Sequence, residues 1–323
     1  VEAVVLAVES KGLSIGYLDE EDRVLWVVKN VDMQVREGEI YCLVGESGCG
    51  KTTLGSSIAG VLPPYSVTRG ELVIYGRRVI KDVLRSYEGV RGKLTSYIPQ
   101  NPGSSLSPYM RIWDQFWRVL REQGLNEKTA KERATAILKT LSLGQGVLEH
   151  YPHELSGGMQ QRVAIGLSLA TGAKVLVADE PTSSVDANLK LQLMRLFKDV
   201  RDNYGVTIVL ITHDILLAGK ACDRIAVMYA GEIVEEGDST SVLTRPLHPY
   251  TKLLVDVVPM LGFKKTLASI PGEPPKPGLL REGCYFYERC PFRDEVCLNH
   301  VETQVIDGRR VKCWKPLVDK TTS

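Results

Sequence analysis

Nowhere in the 323 residues does an apolar run reach the ~18 needed to cross a membrane as a helix. A charge excess is lacking as well. Forty Lys and Arg stand against 39 Asp and Glu, a net +1 at pH 7, so composition makes no case for a nucleic-acid binder or an acidic tail. The stretch Val1–Ser10 has no basic n-region and no small-residue cleavage site, so a signal peptide is not expected there. A membrane role is expected to run through a partner. Cysteine is sparse and odd in number: seven in all, which without a secretion signal argues against a disulfide framework. What remains is ordinary globular composition, 44% hydrophobic and 24% charged, at a length that suits one large domain with an appendage, or two domains.

Leu13 to Gly38 has the pattern of strands and turns, and Glu71–Gly76 of another strand and turn. Glu39-Ile40-Tyr41-Cys42-Leu43-Val44 is a short apolar run that ends in a glycine-rich loop, the pattern of a buried strand feeding a helix. From Ile112 to Leu148 the spacing of Trp113, Phe116, Trp117 and Leu120 predicts helix, continued by 130–141, as an inserted helical subdomain. Strand 174–178, helix 189–204 and strand 206–211 then alternate, which implies a parallel sheet with crossover helices. Two short strands, 224–228 and 232–235, flank Ala230-Gly231, and a helix is expected near 250–258. The segment 271–278 carries too many prolines for helix or central strand and is expected to be a stiff linker to a small tail.

Gly45-Glu46-Ser47-Gly48-Cys49-Gly50-Lys51-Thr52 fits G-x-x-x-x-G-K-[ST] between a strand and a helix. Glycines let backbone N–H groups converge on phosphate oxygens, and the helix start adds its positive dipole end. Lys51 is expected on the β and γ phosphates and the Thr52 hydroxyl on Mg²⁺. Downstream, the apolar run 175–178 ends in Asp179 and Glu180, one carboxylate suited to Mg²⁺ through water and the next to polarising the attacking water. Leu155-Ser156-Gly157-Gly158-Met159-Gln160-Gln161-Arg162 opens a further helix; Ser156 is a candidate cap, and the glycines leave N–H groups open to an anion.

That last segment resembles the signature sequence of ATP-binding cassette (ABC) proteins, and the rest of a cassette follows in order from about Val5 to Leu243. The resemblance implies an α/β P-loop NTPase fold of the ABC type, with a RecA-like core, an antiparallel β subdomain and a helical subdomain at about 103–165. It implies ATP and Mg²⁺ as ligands, bound by 45–52, Thr53 and Tyr17, whose ring is similar to the aromatic that stacks on adenine; a strand aromatic packed in the core is the alternative. Mg²⁺ would be held through Thr52, Gln100 and Asp179. Gln100 and His213 resemble the glutamine that senses Mg²⁺ and the histidine that contacts the γ-phosphate. Ser183-Ser184-Val185-Asp186 resembles the loop that couples two ATP sites, with Ser184-Val185 replacing the usual Ala-Leu. Ser156, Gly157 and Gly158 would close on ATP held by a second cassette, so hydrolysis, assigned to Glu180 with His213 and Gln100, would open a dimer.

The remaining four cysteines crowd together as Cys284-x5-Cys290-x6-Cys297-x15-Cys313. Clustered thiols in an intracellular chain point to metal, and the spacing lacks the short pairs of a structural zinc site, which favours an iron–sulfur cluster. A short tail has little core and gains from such a staple. His248-Pro249-Tyr250-Thr251, Pro271-Gly272-Glu273-Pro274-Pro275 and Gly283–Pro291 resemble the C-terminal extension of the oligopeptide/dipeptide importer ATPases, nearly along the whole chain. That likeness implies a [4Fe–4S] cluster on Cys284, Cys290, Cys297 and Cys313, with Zn²⁺ as the alternative.

The expected organisation is therefore a nucleotide-binding domain over 1–245 and a metal-stapled extension over 246–323. The expected function is an ATPase on the cytoplasmic face of the membrane. Its partners would be a similar but non-identical cassette (a heterodimer), two transmembrane permease subunits and an extracellular substrate-binding protein, with no nucleic acid. Ser104, Ser105, Leu106 and Tyr109 are candidate contacts for the permease. Oligosaccharide cargo is a second reading. A soluble cassette ATPase of DNA repair or translation is a third, disfavoured because the coiled-coil or zinc insertions and the second cassette of those types do not occur.

Overall fold

Two sheets share the work of burying this chain, and the structure, a computed structural model, describes residues 4–182, 187–257, 270–276, 278 and 281–318. The smaller sheet is antiparallel. Its strands are β1 (Leu6–Leu18), β2 (Val24–Arg36), β4 (Ser66–Ile74), β5 (Arg77–Lys81) and β6 (Leu84–Arg85), in the order β2-β1-β4-β5-β6. The larger sheet is mixed and contains β3 (Ile40–Val44), β7 (Thr95–Ile98), β8 (Val175–Asp179), β9 (Thr207–Thr212), β10 (Arg224–Tyr229), β11 (Glu232–Asp238), β12 (Gln304–Ile306) and β13 (Arg309–Val311). Its order is β12-β13-β11-β10-β3-β9-β8-β7, and the run from β10 to β7 is parallel.

β3, β8 and β9 are buried at every position, because a central parallel strand is covered on both faces. The two-residue period then divides their side chains. Ile40, Cys42, Val44, Leu176 and Ala178 join the core that includes the helices, and Tyr41, Leu43, Val175 and Val177 join the core under the antiparallel sheet.

The helices are α1 (Lys51–Ala59), α2 (Ile112–Arg121), α3 (Glu127–Thr140), α4 (Gly157–Ala170), α5 (Ala187–Tyr204), α6 (Ile215–Ala221), α7 (Ser239–Thr244) and α8 (Pro249–Val257). α2 buries Phe116 and Leu120, and α3 buries Ala130, Ala134, Ile137 and Leu138, a stripe at helical spacing. Each buried Phe or Leu contributes about 1.5–3 kcal/mol. Asn126 caps α3 by accepting from the Thr129 N–H. Leu106 belongs to this core and is buried, which corrects its place among the permease contacts; Ser104, Ser105 and Tyr109 are exposed.

The tail is not a body hung on a linker. β13 pairs antiparallel with β11, Glu235 opposite Val311 and Glu236 opposite Arg310, so the C-terminal hairpin extends the core sheet. Glu235 is fully buried there. It accepts from the N–H groups of Leu247 (2.9 Å) and His248 (2.8 Å) and lies 3.4 Å from Arg309 Nη1. Burial pushes its carboxyl above the usual range. The sequence reading also did not foresee that Cys42 and Cys222 lie side by side, with Cα atoms 5.9 Å apart. Folding brings together two residues 180 positions apart, a proximity that cysteine spacing does not carry.

Candidate nucleotide site

The loop 45–50 leaves β3 and turns into α1. Gly50 has φ +102°, and a Cβ there would stand 2.9 Å from the Val27 carbonyl oxygen, so only glycine fits. At Gly45 a Cβ would collide with the Met228 carbonyl. The first turn of α1 holds no acidic side chain, which leaves its positive end uncompensated by charge. Lys51 is buried, and its ammonium donates to the carbonyls of Gly45 (2.8 Å) and Glu46 (2.9 Å). Gly231 N–H donates to the Cys49 carbonyl at 3.0 Å, tying the loop to the β10–β11 turn.

The carboxylates arrive from β8. Thr52 Oγ1 donates to Asp179 Oδ1 at 3.1 Å, and Tyr97 OH to Asp179 Oδ2 at 2.8 Å. Asp179 is buried, and burial raises its carboxyl above the ordinary value against the opposing pull of those two hydroxyls. Glu180 takes a left-handed backbone conformation, φ +42°, held by its N–H donating to the Ile211 carbonyl at 2.9 Å. Such a conformation is costly for a residue with a Cβ and concentrates at functional positions. His213 Nδ1 lies 3.3 Å from Glu180 Oε2; an ionised carboxylate only accepts, so the imidazole N–H is the donor.

Tyr17 flanks the same helix. Its hydroxyl is 3.1 Å from Thr53 Oγ1, and its half-buried ring lies tilted against Tyr65, centroids 5.9 Å apart. Gln100 is exposed in a groove that also has Gly103, Gly157, Gly158 and Pro181 in its walls. Ser156 caps α4 by accepting from the Met159 N–H at 3.4 Å, and Ser156 and Gly157 face solvent. Glu46, Ser47, Gly48 (φ +82°) and Cys49 fill the loop. Ser183, Ser184, Val185 and Asp186 lie outside the described residues.

Two side chains that the sequence reading passed over belong here. Tyr97 takes the second oxygen of Asp179; a tyrosine three residues before Gln100 in a short strand carries no signal until β7 pairs with β8, Tyr97 beside Val177, and brings its hydroxyl within reach of the carboxylate. Gln161, buried in α4, donates to the Pro181 carbonyl and so joins the signature helix to the segment that follows Glu180.

In the tail, Cys284, Cys290, Cys297 and Cys313 line one small cavity with His248 and Phe286. Burial and the neighbouring thiols push Cys284 up to about 11 and Cys313 up to about 12. His248 Nδ1 accepts from the Tyr250 N–H at 3.0 Å, so Nε2 carries the proton, and it is buried with no partner. Burial holds this imidazole down at about 3, hence neutral. Four sulfurs and an unsatisfied N–H donor suit a sulfur-rich cofactor. Among the described residues no group of three or more His, Cys, Asp or Glu is placed to hold a metal ion. No helix among them is long and apolar enough to cross a membrane.

Residues 28–183 match the family model described as ABC transporter, and 234–297 match the C-terminal region of oligopeptide/dipeptide transporters. The chain is 37% identical to the dipeptide transport ATP-binding protein DppD of Bacillus subtilis (strain 168), over 89% of this chain and 88% of that one. It is 35% identical to the oligopeptide transport ATP-binding protein OppD of Salmonella typhimurium (strain LT2), over 90% and 88%. Among solved structures it is similar to the dimeric post-hydrolysis state of the ATP-binding cassette MJ0796 bound to ADP and Pi. That likeness has a TM-score of 0.62 and 29% identity, and covers 72% of this chain and 98% of that one.

Proposed function

This chain belongs to the ABC transporter family and is an ATP-hydrolysing subunit of a transporter, and on that premise we propose that it powers an importer of dipeptides or oligopeptides. The observation that carries the reading is that Thr52, at the start of the helix after the phosphate loop, meets Asp179, and His213 meets the next residue, Glu180. Loop N–H groups and Lys51 would hold the phosphates of Mg-ATP, Thr52 and Asp179 would hold the metal, and Tyr97 fixes Asp179. Glu180, oriented by His213, takes a proton from the attacking water. Gln100 reports on the metal to the groove beside α4, and Tyr17 flanks the base. The other nucleotide face is a second cassette's Ser156, Gly157 and Gly158, and Asp186 joins the two sites.

The partners of this reading are a homologous, non-identical cassette, two permeases and an external substrate-binding protein; the chain sits peripherally on the cytoplasmic face. The nucleotide-binding domain spans 1–245 and the extension 246–323. Cys284, Cys290, Cys297 and Cys313 would hold a [4Fe–4S] cluster, which supplies four metal–thiolate bonds that staple the tail. What supports a shared site is that the four cysteines line one cavity.

The test is the purified complex in vesicles supplied with Mg-ATP and labelled di- and oligopeptides. Peptide uptake that stops with Lys51→Ala supports the reading. Uptake of oligosaccharides alone, or association with DNA or ribosomes in place of permeases, overturns it.

A further inference from the structure

The phosphate loop is held from outside by the C-terminal extension. Arg289 sends its guanidinium to the Glu46 carboxylate in a two-pronged pair, Nη1 to Oε2 at 2.7 Å and Nη2 to Oε1 at 3.0 Å. The planar fork matches both carboxylate oxygens, which makes this the geometrically specific kind of ion pair. The Arg289 side chain is 4% exposed and that of Glu46 26%. The remaining donors are occupied too: Nε donates to the Pro271 carbonyl at 2.8 Å and Nη1 to Tyr229 OH at 3.2 Å.

The Glu46 backbone is fixed as well. Its N–H donates to Tyr250 OH at 3.0 Å, and its carbonyl accepts from Lys51 Nζ at 2.9 Å. The Glu46 carbonyl also accepts from the Cys49 N–H at 3.4 Å, so the loop and the start of α1 hold its backbone from one side and the tail from the other. Arg289 and Tyr250 lie more than two hundred residues downstream, and Tyr250 packs against Tyr229 and Phe286 in one aromatic cluster. Arg289 also precedes Cys290, one of the cavity thiols, so whatever orders the cysteine-bearing segment orders the guanidinium.

We propose that Arg289 is a positioning residue of the ATP site: through Glu46 it holds the entrance of the phosphate loop in its nucleotide-accepting shape, so that the fold of the cysteine-bearing tail sets nucleotide affinity. The Arg289 guanidinium is taken up by Glu46, Tyr229 and the Pro271 carbonyl. Its effect reaches the nucleotide through the backbone of Glu46, whose neighbours in the loop present the N–H groups. The inference rests on the ATPase reading above. Wild-type protein that does not hydrolyse Mg-ATP would refute that reading, whereas normal wild-type hydrolysis indifferent to Arg289 would refute only this one.

The experiment measures KM and kcat for Mg-ATP, and equilibrium binding of a fluorescent ATP analogue, on the full chain in its complex. Arg289→Ala should raise KM and the binding constant about tenfold, equivalent to about 1.4 kcal/mol, while kcat falls by less than about threefold. Arg289→Lys should recover part of the loss, because one ammonium replaces only one prong. Glu46→Gln leaves the tail and its arginine in place and should reproduce the rise in KM. The double variant should be no worse than Arg289→Ala alone. A purely structural arginine gives a different pattern: a lowered melting temperature with KM unchanged, or single effects that add in the double variant. Either result overturns the proposal. If Arg289→Ala does not fold, Glu46→Gln decides: an unchanged KM sinks the idea.

Discussion

Thr52 and Asp179, 127 positions apart in the chain, meet at 3.1 Å, one hydroxyl at the start of α1 and one carboxylate at the end of β8. The contact joins the phosphate-binding end of the core to its acidic end, because α1 packs across β8 and the strand register delivers Asp179 to the same edge of the sheet. Tyr97 completes the arrangement from β7. Tyr97→Phe removes one hydrogen bond to a charged acceptor, worth about 1.5–3 kcal/mol. The concentration of Mg²⁺ needed for half-maximal hydrolysis should rise at least about tenfold. Steady-state ATPase titrated with Mg²⁺ checks this, and an unchanged requirement would free Tyr97 from the role.

Glu180→Gln should keep ATP binding and lower hydrolysis by about 10²–10⁴-fold, the usual worth of a positioned base. The variant should also accumulate as an ATP-loaded dimer on gel filtration, since closure needs the phosphates but opening needs their cleavage. Turnover at the wild-type rate would remove Glu180 from the mechanism.

Arg309→Ala should unpin the C-terminal hairpin. Arg309 and Glu235 are 5% and 0% exposed, and Arg309 also donates to the carbonyls of Ser241 and Arg245. Removing one partner of a buried pair costs about 3–5 kcal/mol. Hydrogen exchange should show β11 to β13 opening; a melting curve like that of the wild type would contradict the burial argument.

Lys29 sets a pH dependence of stability. Burial holds its amine down at about 8, and its ammonium lies 4.0 Å from the Tyr285 ring centroid. The folded value is below the ordinary lysine value, so the fold disfavours the charged form. This group's contribution should be fully favourable above the unfolded value, about 10.4, and lost as pH falls through about 8. Lys29→Met removes the titrating amine together with its attraction to the Tyr285 ring and to Glu232. It should flatten the rise in denaturation midpoint between pH 8 and pH 10. A slope identical to wild type would assign that rise to another group.

Cys290→Ser should lower the iron bound by anaerobically purified protein and the melting temperature of the tail, while Cys49→Ser, in the phosphate loop, should leave the iron content unchanged. Wild-type protein that is colourless and iron-free would end the cluster reading, and stoichiometric zinc in its place would favour the alternative.

The phosphate loop, the Asp179-Glu180 strand end, the signature helix and the alternation of strands and helices were legible because each is local. A glycine at a fixed offset, an apolar run of strand length or a cap before a helix needs only neighbours in the chain to be recognised. The docking of the tail was not legible. Pro271 to Gly278 has a linker's composition, and nothing in three-residue strands announces that β13 will pair with β11. The chain neighbours of Leu106 point to the surface, although the helical subdomain closes over it.

The sequence by itself determined which residues could touch a nucleotide and what chemistry they carry, since side-chain type and short-range spacing fix both. The tertiary structure alone decided which groups hold those residues in place. Tyr97 on Asp179, Gln161 against Pro181, Arg289 on Glu46 and Cys42 beside Cys222 all join segments whose separation along the chain is large compared with any local pattern. Their meeting depends on sheet order and on burial from both sides, quantities that exist only once the whole core has closed.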